Sequence, residues 1–239
     1  GKWRDIAEPR LWPDQYVHHA VIQVLEPVMM RGMDPYCCGS IKGRGIHYGM
    51  KAIKKWMQTD KKGTKYAQEL DIHHFYDSLT VETVMGRLRQ LVKDRRMLEV
   101  CQRLMKHGVL IGAYFSQWFA NTVLQPLDRM IRESGLCDHY MRYMDNFTIF
   151  GRNKRKLRKL RGMIEAWLER RGLKLNGKWQ LYPTAKRPWA TGSGEGSRSC
   201  GRETWCALKS PCRSATGQCG GTEKSGRSWR RGCSPGWDR

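Results

Sequence analysis

The sequence contains no long apolar run and few acidic residues. Its apolar stretches are far shorter than the roughly 20 residues that a membrane-spanning helix needs, and no secretion signal begins the chain. We therefore expect neither a membrane protein nor a secreted one, and we place the chain in the cytoplasm. Lys and Arg number 44 against 22 Asp and Glu, which gives the 239 residues a formal charge of +22. Such an excess indicates a polyanionic partner, either nucleic acid or an anionic membrane surface.

Close cysteine pairs are also missing. None of the nine cysteines stands in a Cys-x-x-Cys spacing, although zinc sites usually need such pairs. Cys37 and Cys38 are adjacent, and Cys101 lies in an apolar helical pattern that is typical of a small buried hydrophobe. We therefore predict neither a disulfide framework nor a zinc centre.

Residues 189–239 lack aliphatic side chains. They contain ten Gly, eight Ser, seven Arg and five Cys, but one Leu and no Ile, Val, Phe, Tyr or Met. A segment of this composition cannot bury enough apolar surface to offset the entropy that it loses on ordering. Two interpretations stay open: a flexible basic tail, or a shifted reading frame of GC-rich DNA, which we favour. In either case we predict no packed core there.

Residues 1–188 have the composition of a globular domain, with 35 basic and 18 acidic residues. Apolar periodicity predicts helices over about 17–28, 81–92, 97–105, 116–133 and 157–168. In the first, Val17, Val21, Val24 and Val28 keep a helical period and Pro27 marks an end or a kink, and Thr80 is a candidate cap for the second. Short β-rich runs predict strands at 67–72, 140–143, 147–150 and 179–182. The pattern indicates an α+β fold, in which a small antiparallel sheet is backed by helices.

Two carboxylates stand where strands end. Asp71 ends one predicted strand, and Asp145 lies in the tight turn of a predicted hairpin, Tyr143-Met144-Asp145-Asn146. Either residue could supply only turn or capping geometry. If the strands are adjacent, however, the hairpin turn lies beside the end of the Asp71 strand. Two carboxylates at such an edge suit Mg²⁺, a hard ion that takes few protein oxygens and shares substrate phosphates.

Two glycine-bearing segments accompany these carboxylates. In Ile111-Gly112-Ala113-Tyr114-Phe115-Ser116-Gln117 a loop leads into a helix through Ser116, and Gly112 allows a ligand to approach the backbone closely. An ordinary loop with a Ser cap is the alternative. Residues 38–47 form a Gly-rich basic turn before a helix, which suits phosphate contact, although Lys42 and Arg44 could equally be solvated.

In this order and spacing, the segments around Asp71, Gly112 and Asp145 resemble the palm of reverse transcriptases. The similarity is closest to bacterial enzymes of the group II intron and diversity-generating retroelement kind, whose Y-x-D-D box corresponds to the hairpin. The resemblance implies a right-hand polymerase with partial fingers at residues 1–66 and a palm at 67–188. The thumb would be missing, or scrambled within residues 189–239. The implied reaction is RNA-directed DNA synthesis, in which a primer 3′-hydroxyl attacks the α-phosphate of a dNTP.

The resemblance also implies roles for individual residues. Asp71, Asp145 and the carbonyl of Ile72 would hold two Mg²⁺ ions, and Asn146 would occupy a third catalytic position. The residues implied to contact the incoming dNTP are Arg4, Tyr76, Ile111, Gly112 and Gln117. The ring of Tyr76 would exclude a ribose 2′-hydroxyl, or it could simply pack against its helix. The implied partners are an RNA template, a DNA or RNA primer and dNTPs. No membrane partner is implied, and an accessory protein is left open.

A basic run follows the hairpin, since seven of the ten residues 152–161 are Lys or Arg. Such a run is usually a solvated helix face. Here the net charge and the neighbouring hairpin favour contact with a nucleic-acid backbone, which would be salt-dependent. The residues assigned to backbone contact are Lys42, Arg44, Arg152, Lys154, Arg155 and Lys156.

The main departure from the family pattern is Asn146, which stands where the second Asp of the box is expected. An amide keeps one oxygen acceptor and loses the charge, so Mg²⁺ affinity and alignment of the 3′-hydroxyl should suffer. Two other function classes therefore stay open. One is a degenerate homologue that binds nucleic acid without synthesis, in defence or as a retroelement remnant. The other is a basic RNA-binding scaffold without an ancestral active site.

Overall fold

The computed structural model describes residues 9–186. Arg4 and residues 189–239 lie outside this range, so what the sequence predicts for them stays a prediction. The helices and strands follow in chain order: α1 (Tyr16–Met30), β1 (Cys37–Cys38), α2 (Ile46–Thr59), β2 (Tyr66–Asp71), α3 (Phe75–Ser78), α4 (Val81–Leu91), α5 (Arg95–Leu104), α6 (Tyr114–Glu133), β3 (His139–Tyr143), β4 (Asn146–Gly151), α7 (Lys154–Glu169) and β5 (Gln180–Pro183). Short helical turns flank this series at Leu11–Gln15 and Thr184–Lys186.

The strands form one sheet in the order β1-β3-β4-β2-β5. β4 pairs antiparallel with both β3 and β2, and β5 pairs antiparallel with β2. β1 instead runs parallel to β3, with Cys38 opposite Tyr143. The predicted α+β class is confirmed. Three of the sheet's four pairings are antiparallel, as predicted, and the parallel pairing of β1 was not predicted, because a strand of two residues shows no pattern in the sequence.

Helix α6 is the central support behind the sheet. Of its 20 residues, 13 are buried, because other elements cover it on several sides. Helices α1, α4 and α7 pack against it, and α7 also covers β4. A helix buried on most of its circumference is held firmly by its neighbours. The first turn of α6 carries Gln117, which therefore sits on a rigid element.

The predicted helix boundaries hold to within a few residues in the second half of the chain. Thr80 caps α4, since its hydroxyl accepts from the N–H of Thr83. The alternative in which Ser116 caps α6 is wrong. Ala113 is the N-cap of α6, and Ser116 is buried within the first turn, because Tyr114 and Phe115 already belong to the helix.

The buried face of helix α1 only partly matches the four valines that keep the helical period. Its buried residues are His18, Val21, Ile22, Leu25 and Met29, whereas Val17 and Val24 are exposed. Apolar residues lie on both sides of this helix, so periodicity alone did not select the side that meets α6. Pro27 lies inside the helix and does not end it.

The cysteines of the described residues are free thiols, namely Cys37, Cys38, Cys101 and Cys137. Burial raises the pKa of Cys101 to about 11, so this thiol stays protonated at neutral pH, as the small-hydrophobe interpretation requires. Between residues 9 and 186, no helix combines the length and the apolar character that a bilayer crossing demands.

Candidate active site

The end of β2 meets the hairpin turn between β3 and β4. Asp71, the last residue of β2, lies opposite Asn146, the first residue of β4. The N–H of Ile72 donates to the carbonyl of Asp145 at 3.3 Å. This bond lies just beyond Asp71 and Asn146, so these two residues form a non-hydrogen-bonded pair of the antiparallel ladder. In such a pair the facing Cα atoms are about 4.5 Å apart. The structure therefore places Asp71 and the turn that bears Asp145 at one edge of the sheet.

Asp71 has a partner that the sequence did not predict. The side-chain amide of Asn176 donates to Oδ2 of Asp71 at 3.1 Å, and the backbone N–H of Asn176 donates to the Asp71 carbonyl at 2.8 Å. Leu175 forms a bridge with Ile72. The segment that follows α7 thus returns across the end of β2. Asn176 orients one oxygen of the Asp71 carboxylate.

Asn146 contacts the neighbouring carboxylate. Its side-chain Nδ2 donates to Oδ1 of Asp145 at 3.1 Å. An Asp at this position would accept rather than donate, and it would add a second negative charge beside Asp145. The substitution therefore changes both the charge and the hydrogen bonding at this edge.

The donor set at this edge is suited to a hard cation. Asp71 and Asp145 offer carboxylate oxygens, and Ile72 offers a backbone carbonyl; Mg²⁺ prefers such oxygen ligands over nitrogen or sulfur. Within the described part of the chain, no cluster of three or more His, Cys, Asp and Glu side chains could hold a metal ion. The edge thus has two carboxylates, the number that the sequence predicted once Asn146 replaced the expected Asp.

The turn itself has a strained backbone. Met144 has a φ of +55°, a left-handed conformation that costs a non-glycine residue on the order of 1–3 kcal/mol. The N–H of Met144 donates to the carbonyl of Cys38 at 3.2 Å. The parallel pairing of β1 with β3 therefore continues into the turn and helps to hold it in this conformation.

Strand β1 brings the Gly-rich basic turn against the hairpin. A Cβ atom on Gly39, which has a φ of +94°, would lie 3.0 Å from Cγ and Sδ of Met144, so a glycine is required there. The hydroxyl of Ser40 donates to Oε1 of Gln117 at 2.6 Å and contacts Sδ of Met144 at 3.5 Å. Three segments that the sequence treated separately thus meet beside Asp145.

The other residues assigned to the dNTP lie on nearby loops or short helices. Ile111 and Gly112 belong to the loop before α6, and Gly112 has a φ of +100°, which explains the need for glycine at this point. Tyr76 lies in the single turn of α3 and packs against the hydrophobic core. Packing accounts for the position of Tyr76, and its exclusion of a ribose 2′-hydroxyl stays a prediction.

Lys42 and Arg44 differ in their surroundings. Lys42 is exposed, whereas Arg44 is half-buried and its Nη1 donates to the carbonyl of Asp34 at 3.3 Å. The carbonyl of Arg44 also accepts from the N–H of Gly39 at 2.8 Å. Arg44 therefore shapes the Gly-rich turn, which leaves Lys42 as the solvated cation.

The basic run lies away from the carboxylates. β4 leads from Asn146 to Gly151, so α7 begins roughly 16 Å away at about 3.3 Å per residue. Arg152 pairs with Asp138 at 2.6 Å, and Nζ of Lys154 lies 5.1 Å from the ring centre of Tyr66. Arg155 and Lys156 follow in the first turn of α7. Four of the six residues predicted to contact nucleic acid are thus at the opposite end of the sheet from Asp71, whereas Lys42 and Arg44 lie in the Gly-rich turn.

Burial also shifts the pKa values of two groups near the turn. Burial, and secondarily Cys38, raises the pKa of Tyr143 above its usual value. Burial raises the pKa of the Cys38 thiol to about 11. Neither group therefore ionises near neutral pH, and the negative charge at this edge comes from the carboxylates.

A family comparison agrees with this arrangement. The profile of the family described as "Reverse transcriptase (RNA-dependent DNA polymerase)" matches residues 1–186. The chain belongs to this family, and the resemblance that its motifs carried is confirmed.

Individual relatives are similar at low identity. The retron Ec86 reverse transcriptase of Escherichia coli is 28% identical over 122 residues, which cover 48% of this chain and 38% of that protein. The group II intron-encoded protein LtrA of Lactococcus lactis subsp. cremoris is 23% identical over 152 residues, covering 62% of this chain and 23% of that protein. The chain thus spans well under half the length of these relatives.

Solved structures show the same fold. The apo telomerase of Candida tropicalis superposes with a TM-score of 0.53 at 14% identity, over 74% of this chain and 37% of that one. The Candida tropicalis telomerase in complex with the TWJ fragment of telomeric RNA gives a TM-score of 0.58 at 16% identity, over 74% of this chain and 35% of that one. At such identities the likeness concerns the polymerase fold alone.

Proposed function

We propose that this chain is the fingers-and-palm part of an RNA-directed DNA polymerase. Residues 1–66 would contribute to the fingers and residues 67–188 would form the palm. The observation that carries the proposal is the meeting of Asp71 with the turn of Asp145 at one sheet edge. A scaffold that only binds RNA has no need to bring these two carboxylates together.

The proposed metal ligands are Asp71, Asp145 and the carbonyl of Ile72. Reverse transcriptases generally use divalent metal ions, and we assign two Mg²⁺ ions here. When bound, such a pair of ions stabilises both the attacking and the leaving oxygens of phosphoryl transfer. Asn176 keeps one Asp71 oxygen in place through its amide. Asn146 would offer its amide oxygen alone, because its Nδ2 donates to Asp145.

The remaining residues would position the substrates. We propose that Ile111, Gly112 and Gln117 line the dNTP site, that Tyr76 excludes a 2′-hydroxyl, and that Arg4 contacts the triphosphate. Positioning of this kind supplies much of the rate enhancement in phosphoryl transfer. For the backbone of template and primer, the proposed contacts are Lys42, Arg44, Arg152, Lys154, Arg155 and Lys156.

Primer extension tests this proposal directly. A DNA primer on an RNA template is incubated with dNTPs across a Mg²⁺ titration, and incorporation is compared for the wild type, Asp71→Asn and Glu99→Gln. Asp71→Asn should abolish extension, because one carboxylate would remain to hold the ions. Glu99→Gln removes an equal charge from the exposed surface of α5 and should change nothing. Extension that persists in Asp71→Asn would contradict the proposal.

A second candidate function is binding of nucleic acid without synthesis. The observation that favours it is the hydrogen bond from Nδ2 of Asn146 to Asp145, which directs a donor toward the carboxylate that a metal would use. In that case the wild type and Asn146→Asp would both bind RNA tightly, and neither would extend a primer.

A further inference from the structure

A fully buried arginine lies directly behind the hairpin turn. Arg142, on β3, is 0% exposed. Its guanidinium donates two hydrogen bonds to Asp128 of α6, from Nε to Oδ1 at 2.8 Å and from Nη2 to Oδ2 at 2.7 Å. The hydroxyl of Tyr140 donates to the same carboxylate at 2.5 Å. Burial alone would lower the pKa of Arg142, but the attraction of Asp128 outweighs it and the pKa lies well above its usual value. The guanidinium is therefore charged and fixed in orientation.

The remaining arm of this guanidinium reaches the turn. Nη1 of Arg142 donates to the carbonyl of Met144 at 2.8 Å and to Oδ1 of Asn121 at 2.8 Å. Met144 is the left-handed residue immediately before Asp145. The pair with Asp128 would satisfy the charge without this arm. The contact with Met144 thus links the turn to α6.

One face of α6 supplies the fixed points for this link. Gln117, Asn121 and Asp128 are spaced by four and seven residues, so they lie along the same side of the helix. Gln117 holds Ser40, Asn121 donates to the carbonyl of Gly39 at 3.3 Å, and Asp128 holds Arg142. The Gly-rich turn and the hairpin turn are therefore both held in position by hydrogen bonds to one buried helix.

We propose that Arg142 is a positioning residue for the metal site. By holding the Met144 carbonyl, it keeps Asp145 beside the end of the Asp71 strand, while Asp128 and Asn121 hold Arg142 itself. The inference rests on the proposed function, because it concerns how the ligands of that site are kept in place. It adds a role for a residue that contacts neither substrate nor metal.

The chain offers a matched control in Arg132. This arginine also forms a fork on a carboxylate, with Nε and Nη2 at 2.7 and 2.9 Å from the oxygens of Asp34. It also donates to a backbone carbonyl, that of Tyr140 at 2.9 Å. Its acceptors thus lie outside the turn. Arg142→Lys and Arg132→Lys each remove a fork on a carboxylate, that of Arg142 fully buried and that of Arg132 with its arginine side chain 34% exposed, and only the first removes a contact with Met144.

Binding of Mn²⁺, measured by electron paramagnetic resonance of the free ion, is the test and needs no turnover. Arg142→Lys should weaken Mn²⁺ binding about tenfold, the effect typical of residues that orient metal ligands, and Arg132→Lys should leave it unchanged. RNA binding, measured by fluorescence anisotropy, should be the same in both variants. Equal Mn²⁺ affinities in the two variants would overturn the inference.

Replacing the buried polar side chains by apolar ones distinguishes a positioning role of Arg142 from a purely structural one. The triple variant Asp128→Leu, Tyr140→Phe, Arg142→Met removes the buried ion pair and the tyrosine hydroxyl bonded to it while Asn121 stays, and such replacements are often neutral or stabilising for the fold. It should keep a cooperative urea transition and still bind Mn²⁺ about tenfold more weakly. A folded triple variant with wild-type Mn²⁺ affinity would mean that Arg142 serves stability alone.

Two further measurements make the outcome decisive. If Asp71→Asn binds Mn²⁺ as tightly as the wild type, the proposed metal site fails rather than this inference. If no Arg142 variant folds, the Nε–H resonance of Arg142 in the wild type decides the matter. It should shift when Mg²⁺ is added, while that of Arg132 stays in place. An unshifted Arg142 signal would overturn the inference.

Discussion

The two ends of the sheet are built by different means. Within residues 9–186, the non-glycine residues with positive φ are Ser40, His74 and Met144, and all three lie around the edge that carries Asp71. The opposite end, where β4 passes into α7, is held by ordinary devices. Asn153 caps α7 by accepting from the N–H of Arg155 at 2.8 Å, and Arg152 pairs with Asp138. Backbone strain is thus concentrated where the proposed chemistry is, as expected for a functional site supported by a regular scaffold.

The ion pairs at the two ends differ in the same way. The side chains of Arg142 and Asp128 are 0% and 2% exposed, whereas those of Arg152 and Asp138 are 63% and 22% exposed. A buried pair is costly to break, because the remaining partner is left as an uncompensated charge away from water. An exposed pair is screened by solvent. The first pair therefore resists change, and the second tolerates it.

The largest effect should come from breaking the buried pair. Asp128→Ala should lower the free energy of unfolding by about 3–5 kcal/mol, since it strands the Arg142 guanidinium in the core. Asp138→Ala should leave that free energy nearly unchanged, because its partner stays in water. Urea titrations of both variants provide the measurement. Equal losses would show that the two ends do not differ in this respect.

Restoring the missing carboxylate should have the next largest effect. Asn146→Asp adds a negative charge beside Asp145, so it should tighten Mg²⁺ binding and raise primer extension by about tenfold, which corresponds to roughly 1.4 kcal/mol in the barrier. Extension across a Mg²⁺ titration measures this change. Any missing part of the polymerase is to be supplied from an intact homologue. Asn153→Asp adds the same charge at the opposite end, where Asp also caps a helix, and extension should not respond to it. A similar gain in both variants would point to net charge rather than to the site.

Backbone strain near Asp71 can be measured by comparing glycine and alanine at a residue with positive φ. His74 has a φ of +45°, so His74→Gly should be more stable than His74→Ala by about 1 kcal/mol, because glycine adopts the left-handed region without a Cβ clash. The order should reverse at Lys159 on the exposed face of α7, where glycine costs about 1 kcal/mol relative to alanine. Urea midpoints of the four variants test the comparison. A glycine preference at Lys159, or none at His74, would contradict it.

The smallest effect concerns pH and a buried histidine of α1, His18, whose ring lies 4.8 Å from that of Phe115, centre to centre. Burial lowers the pKa of His18, although nearby Asp14 opposes this. As the pH falls, His18 therefore takes up a proton more readily in the unfolded chain than in the folded one. Its contribution to the free energy of unfolding is fully present above a pH of about 6.5 and decreases below it.

His18→Gln should remove this part of the pH dependence. The loss in free energy of unfolding between pH 7.5 and 5.5, read from urea curves, should be smaller in the variant than in the wild type. All carboxylates are common to both proteins, so they cancel in the difference. Parallel pH profiles would show that His18 takes up its proton in the folded state as readily as in the unfolded one.

The sequence predicted those parts of the fold that depend on local patterns. Helices α4 and α7 follow from apolar periodicity, and the hairpin follows from two β-rich runs around a tight turn. The edge at which Asp71 meets that turn followed from the order of the segments in the resemblance. The direction of β4 was also readable, and it would have placed Arg152 and its neighbours at the far end of the sheet.

The parts that escaped prediction depend on contacts between distant residues. Arg142 looks like a surface residue of a strand until α6 brings Asp128 behind it. Asn176 lies 105 positions from Asp71, so no local pattern connects them. Strand β1 has two residues, and only its pairing with β3 defines it. In each case the tertiary structure, rather than the local sequence, creates the role.

The bridge between Ile72 and Leu175 has a consequence for the order of folding. The β3–β4 hairpin closes over two residues and can form within microseconds, whereas pairing of 72 with 175 must wait for a loop of roughly a hundred residues to close. The edge that carries Asp71 is therefore expected to be completed late, after the hairpin and β2 have joined. Pulse-labelling hydrogen exchange would report this order, since the amide of His73, which donates to the carbonyl of Lys174 at 2.8 Å, should become protected later than the hairpin amides. A chain that has just folded its scaffold would, for that interval, hold a sheet in which Ile72 is not yet bridged to Leu175.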